Sequence, residues 1–185
     1  GFTSNNGTPE RNHAAATRPD LVVHGGDFFF RARVHQTIVD MAYEPLHHLA
    51  ETGIPIVVAP GNHERSKMPP SLWLSHPNIH VFDRPRTFSF VTASGVSLSI
   101  AGFPFAGGDV RGNFNVILEE TGWEDVQSEV KLLSMHQAVE GATVGPSDYT
   151  FRRGKDTIRL ADIPQGFAAV LAGHIHRRQV LNRGE

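Results

Sequence analysis

Apolar residues in this chain come in short runs, and most runs end in a polar turn. Leu21-Val22-Val23-His24 stops at Gly25-Gly26-Asp27, and Ile54-Pro55-Ile56-Val57-Val58-Ala59 stops at Pro60-Gly61-Asn62-His63-Glu64. Val130 to Met135 stops at His136, and Ala168 to Ala172 stops at Gly173-His174-Ile175-His176. Short runs without polar alternation predict strands covered on both faces, and Leu21 to His24 is expected as a central parallel strand. Between the first two runs, Val34, Ile38, Met41, Ala42, Leu46 and Leu49 recur close to a helical period, which predicts a helix over 34–52. Pro45 predicts a kink or a split in it, and Gly53 its end. The resulting β-α-β unit should cross over right-handed.

The middle of the chain reads differently. Prolines and histidines from Pro69 to Pro85 leave room only for a short strand over 79–82. Residues 87–93 and 96–102 alternate and are joined by Ser94-Gly95, which predicts a hairpin. Gly107-Gly108-Asp109 opens a loop before a short helix over 114–120. Residues 141–155 form a Gly/Pro/Arg-rich stretch too long to be only a connector. Ala168 to Ala172 is expected as a buried strand, and Gln179 to Leu181 as the start of another. Residues 1–20 read as a loop with at most a helical piece near 13–17, and Phe28-Phe29-Phe30 should pack over the Gly-Gly-Asp turn. The predicted fold is α/β: a layered β-sandwich of mixed sheets flanked by helices.

Composition narrows the chemistry. Eleven histidines, 19 acidic residues and no cysteine favour nitrogen and oxygen metal ligands over sulfur. A formal net charge of −2 argues against a uniformly basic nucleic-acid surface, though Arg152-Arg153-Lys155, Arg177-Arg178 and Arg84 with Arg86 are local clusters that could meet phosphates. No apolar run approaches the roughly 18 residues of a membrane span. The first residues lack the pattern of a signal peptide, which sets a cytoplasmic expectation.

In open α/β sheets ligands bind at the carboxyl ends of strands, where these polar turns lie. Asp27, after two glycines that let backbone approach closely, is the candidate carboxylate shared between two metal ions. Asn62 offers a neutral carbonyl oxygen, and His136 and His174 complete one site. His176, two residues on, can reach a second ion, because alternate side chains of an extended segment share a face. His63 follows a ligand and is placed to contact substrate and to donate a proton to a leaving oxygen. Two such ions would ease ionisation of water and grip phosphate oxygens. Glu64 reads as a helix-start or outer carboxylate and His24 as a packed core residue. His13, His35, His47, His48, His76 and His80 read as solvated or packed.

Gly-Gly-Asp, Gly-Asn-His-Glu, a histidine after a strand and Gly-His-x-His, in that order, resemble the calcineurin-like metallophosphoesterase superfamily. The likeness runs from about Leu21 to Arg178. It implies that Asp27 bridges two metals, that Asn62, His136 and His174 hold one ion, that His176 helps hold the other, and that His63 is the phosphate-contacting proton donor. The ions implied are two divalent cations, with manganese preferred and iron or zinc as alternatives. The superfamily opens with a strand ending Asp-x-His, which this sequence lacks. Residues 1–185 are therefore expected to be a single metallophosphoesterase domain cut at both ends, whose first metal keeps only Asp27 and His176.

Within that superfamily, Gly26-Asp27-Phe28-Phe29 with Arg31 and Arg33, Ser134-Met135-His136-Gln137, and Gly173 to Arg177 are similar to the DNA-repair exonuclease branch of SbcD type. That similarity implies a manganese nuclease acting on DNA ends, an ATPase partner subunit of SbcC type, a homodimer, and substrate contacts from Arg177 and Arg31. Two other functions fit the same residues: a phosphoesterase for a small ester or nucleotide, and a non-catalytic module that kept the fold.

Overall fold

The computed structural model describes residues 18–29, 35–63 and 76–182. Strand β1 (Val22–His24) is followed by helix α1 (Gln36–Glu51), β2 (Ile56–Val58) and β3 (Ile79–Val81). These three strands form a parallel sheet in the order β1-β2-β3, with Val22 opposite Ile56 and Ile56 opposite Ile79. Next come β4 (Arg86–Val91), β5 (Ser97–Phe103), α2 (Val110–Glu119) and β6 (Val130–Met135). Short strands β7 (Ala138–Val139), β8 (Thr143–Val144), β9 (Tyr149–Thr150) and β10 (Thr157–Ile158) lead to β11 (Ala169–Ala172). The second large sheet has the order β11-β6-β5-β4, antiparallel between β4 and β5 and parallel elsewhere.

Alternation along the strands builds the layers. Val22, Ile56, Val58, Ile79 and Val81 face α1, packing on its Val39, Tyr43 and Ala50. Their neighbours Val23 and Val57 turn the other way and meet Leu98, Ile100, Phe88, Phe90, Val130 and Leu132 of the second sheet. That sheet's other face carries Ala101, Phe103, Leu133 and Met135 against Val110, Phe114 and Leu118 of α2. The order is helix, sheet, sheet, helix, the flanked sandwich that the pattern predicts. Strands covered on both faces need apolar residues at successive positions, and each large aliphatic side chain so buried contributes about 1.5–3 kcal/mol. Small polar residues interrupt this pattern at the buried Ser99 and Ser134, and a larger one on β3. His80, on β3, turns its ring toward Phe88 and Phe90, with centroids 5.2 and 5.1 Å away.

Several expectations need correction. β1 is an edge strand among the described residues, because β2 alone pairs with it. Pro45 does not split α1, which continues from Gln36 to Glu51 because its apolar stripe lies on one continuous sheet face. Gly53, at φ +86°, ends it as expected. Helix α2 starts at Val110, four residues earlier than its apolar spacing suggests, since the Asp109 carboxylate caps it by accepting from the Gly112 N–H at 2.9 Å. The 141–155 stretch contains the β8–β9 hairpin. β11 is mostly exposed rather than buried, since β6 is its only partner strand among the described residues. Residues 179–181 form no strand. The helical piece expected near 13–17 lies outside the described residues, as does Phe30.

Candidate metal centre

β1 and β2 run parallel, so their carboxyl ends emerge side by side. There the chain turns sharply twice. Gly26 takes φ +92° and Asp27 takes +56°, a left-handed conformation that costs a non-glycine residue about 1–3 kcal/mol and is kept only where its surroundings impose it. The turn after β2 supplies those surroundings. A Cβ on Gly61 would stand 2.2 Å from Asp27 Oδ1, and one on Gly26 would stand 2.6 Å from the Gly61 nitrogen. The His63 N–H faces Asp27 Oδ1 at 3.5 Å. Glycine at these places lets two backbones close around one carboxylate.

The second sheet brings the imidazoles. β6 and β11 are parallel neighbours, with Met135 opposite Ala172, so His136 and Gly173-His174 leave the sheet together. His136 is 1% exposed. Its Nδ1 lies 2.5 Å from the Gly25 carbonyl oxygen, which can only accept, so Nδ1 carries a proton and Nε2 is the nitrogen turned to the site. That Nε2 stands 3.3 Å from Asp27 Oδ2 and 3.2 Å from His174 Nδ1. His174 has φ +75° and sits in a three-residue turn closed by the Ile175 N–H on the Gly173 carbonyl at 2.9 Å. Burial and the neighbouring His136 hold its pKa below the ordinary histidine value, so the ring is neutral near pH 7.

One donor atom each from Asp27, His136 and His174 lies within 4.8 Å of the other two. Donors bound to a common ion at about 2.1 Å stand about 3.0–3.4 Å apart, the range of the two shortest distances here. Asn62 Oδ1 is buried and has no hydrogen-bond partner among the described residues, which leaves an amide oxygen free to meet a cation. One carboxylate, two imidazoles and an orphaned amide oxygen suit a divalent ion such as manganese, iron or zinc. On the outer side, His176 Nε2 lies 3.8 Å from the same Asp27 Oδ2, with its side chain 81% exposed. Asp27 Oδ2 therefore has two ring nitrogens near it, one from a buried side chain and one from an exposed one.

Sequence reasoning missed some of the surroundings. The Phe105 ring lies 5.9 Å from His174 and 6.2 Å from His136, held by its N–H on the Pro60 carbonyl at 2.8 Å. Its signal was available, since it follows β5 at the same sheet edge. His24 is the packed residue expected, but it packs against the site. Its ring stacks on Phe28 at 3.7 Å and its Nδ1 accepts from the Gly26 N–H at 3.1 Å. Burial, with His136 nearby, lowers its pKa to about 4. Phe28 and Phe29 pack onto Tyr43 of α1 and join the core beneath that helix, rather than only covering the Gly-Gly-Asp turn as expected. Arg177 is exposed and forms an ion pair with Asp148, while Arg31 and Glu64 lie outside the described residues.

Residues 9–178 match the family described as calcineurin-like phosphoesterase. Over 171 residues, 87% of this chain, the sequence is 25% identical to the DNA double-strand break repair protein Mre11 of Methanococcus maripaludis, and the match covers 42% of that protein. The chain thus spans less than half the length of this relative. No helix among the described residues is long and apolar enough to cross a membrane.

Proposed function

This chain belongs to the calcineurin-like phosphoesterase family, a family of hydrolases, and from that premise we propose that it cleaves phosphodiesters at a centre of two divalent cations, with DNA ends as substrate. The observation that carries the reading is the convergence on Asp27: His136 and His174 on the buried side, His176 on the exposed one. In this reading Asp27, Asn62, His136 and His174 hold one ion. Asp27 and His176 contribute to the other. The likeness to a double-strand break repair protein supports DNA over a small ester, and the mixed imidazole and carboxylate donors suit manganese as the working metal.

When bound, the cations supply Lewis acidity, drawing charge from a phosphoryl oxygen and easing loss of a proton from water. The chain's own residues set the geometry for that. The Gly25 carbonyl fixes the His136 tautomer, so that Nε2 and not Nδ1 faces Asp27. The two glycine turns keep the carboxylate from rotating away. His63, directly after Asn62 on the same turn, donates the proton that the leaving oxygen needs. A nuclease of this kind would work with an ATPase subunit and as a homodimer.

The test is a manganese-dependent assay on linear DNA and on a bis-aryl phosphodiester. Release of nucleotides from DNA ends is expected. Cleavage of the small diester with no action on DNA would make the protein a small-ester phosphoesterase. Turnover of neither, with metal bound, would make it a binding module. His63→Ala should abolish turnover while leaving metal content nearly unchanged; lost metal would make His63 a ligand.

A further inference from the structure

The turn that carries His174 and His176 is strained and ends in the open. His174 sits at φ +75°, and the closing hydrogen bond spans only Gly173 to Ile175. A turn of this hand is rare and uphill in isolation. Upstream, β11 and the Gly173 N–H on the Met135 carbonyl anchor it. Downstream, Arg177 and Arg178 are exposed, and no strand follows among the described residues. Further on, Leu181 packs on the second-sheet core, and the polar contacts nearest the turn come from the β8–β9 hairpin, about thirty residues earlier in the sequence. The Thr143 N–H donates to Gln179 Oε1 at 2.8 Å, and Gln179 Nε2 donates back to the Thr143 carbonyl at 3.1 Å. The carboxamide thus pairs with backbone as a neighbouring strand would. Arg177 Nη1 donates to Asp148 and, at 3.3 Å, to Thr143 Oγ1. Asp148 is itself at φ +51°, another left-handed residue kept in place at a point of contact.

Resting on the reading of His176 as a ligand of the outer ion, we propose that the β8–β9 hairpin is a clasp that positions His176. Gln179, Arg177 and Asp148 are its positioning residues, and Thr143 is the point they grip. The bonds fall one and three residues after His176, close enough to limit its backbone and too far to touch the ion. His136 and His174 do not need the clasp. The former is buried by packing, and the latter is held from upstream, by the Gly173 N–H on the Met135 carbonyl and by the His136 ring. Arg177 thereby acquires a structural partner in place of a substrate phosphate. The exposed His176 ring would otherwise sample many positions, at a cost in affinity that must be met again on binding each ion.

The experiment is a zinc titration of the whole chain, followed by NMR of the histidine rings, in the unmodified protein and in Gln179→Leu and Asp148→Ala. In the unmodified protein the rings of His136, His174 and His176 should all respond. In Gln179→Leu the His176 response should need about tenfold more zinc, with His136 and His174 changed less than twofold. Asp148→Ala should give a smaller shift in the same direction, and Asp148→Asn, which keeps an acceptor, should recover part of it. An unchanged His176 response would overturn the clasp, as would equal weakening at all three rings. If His176 fails to respond in the unmodified protein while His136 and His174 do, its role at an outer ion falls and the clasp with it. If none responds, the metal centre itself is refuted.

Discussion

On one side of the Asp27 carboxylate the ring of His136 is almost sealed from solvent; on the other, the side chain of His176 is 81% exposed. The two sides are built by different means. The inner side is made by close packing: two glycine turns, a parallel strand pair and a carbonyl that selects one tautomer. Its geometry is set by the packing of the chain itself. The outer side hangs on a few polar bonds from a hairpin. Packing fixes a group to within tenths of an ångström, whereas exposed hydrogen bonds compete with water and net only about 0.5–1.5 kcal/mol each. The inner half should therefore bind its ion tightly and first. The outer half should load late and respond most to its surroundings.

Removing ligands from the two sides should show the widest contrast. Asp27→Ala or His136→Ala should weaken the tighter ion by more than about 100-fold, beyond what loss of an outer hydrogen-bond partner costs. His176→Ala should leave that ion nearly untouched and lose only the weaker one. Calorimetric manganese titration checks this, and equal losses from either side would erase the distinction. Gly173→Ala comes next. Its Cβ would stand 2.1 Å from the Gly25 carbonyl oxygen, so the two sheet ends must separate. A loss at the upper end of the roughly 1–3 kcal/mol typical of overpacking is expected in urea unfolding. Gly95→Ala, at a turn with open space around it, should cost only the strain of its φ of +87°.

Acid should separate the site from the sandwich. His24 has a folded pKa of about 4, below its unfolded value near 6.5, so the unfolded chain takes up the proton first. In the metal-free protein its contribution is full above pH 6.5 and is lost as pH falls toward 4, by on the order of 3 kcal/mol. His24→Gln should flatten that decline. His80, whose pKa burial lowers between Phe88 and Phe90, acts in the same direction with a smaller effect. Chemical denaturation at pH 7, 6 and 5 measures both. A His24 variant that keeps the full decline would place the acid sensitivity elsewhere.

Much of this molecule is legible before any coordinates, for local reasons. Residues Ile56–Val58 are apolar at successive positions because both faces of their sheet are covered, and Val22–Val23 and Leu132–Leu133 carry the same signal in their strands; such runs stand out in any reading. The polar turns at their ends stand out equally, because a buried strand cannot end in Gly-Gly-Asp without a reason. Helix α2 was half legible: its apolar spacing shows, while its true start depends on one Asp109 side chain folding back. The exposure of β11 was not legible. Ala169 to Ala172 is as apolar as any core strand, and only the sheet order places it at an edge.

Residue types and their order were enough to name Asp27, Asn62, His136, His174 and His176 as ligand candidates, since chemistry at a strand end needs those atoms whatever the detailed packing. The sequence could not say that the buried and exposed sides differ, that His24 stacks beneath the turn, or that a hairpin thirty residues away grips the chain after His176. Those facts depend on which distant segments touch, and contacts between remote segments leave no local pattern. A glutamine that completes a hairpin's hydrogen bonds looks, in one dimension, like any other glutamine.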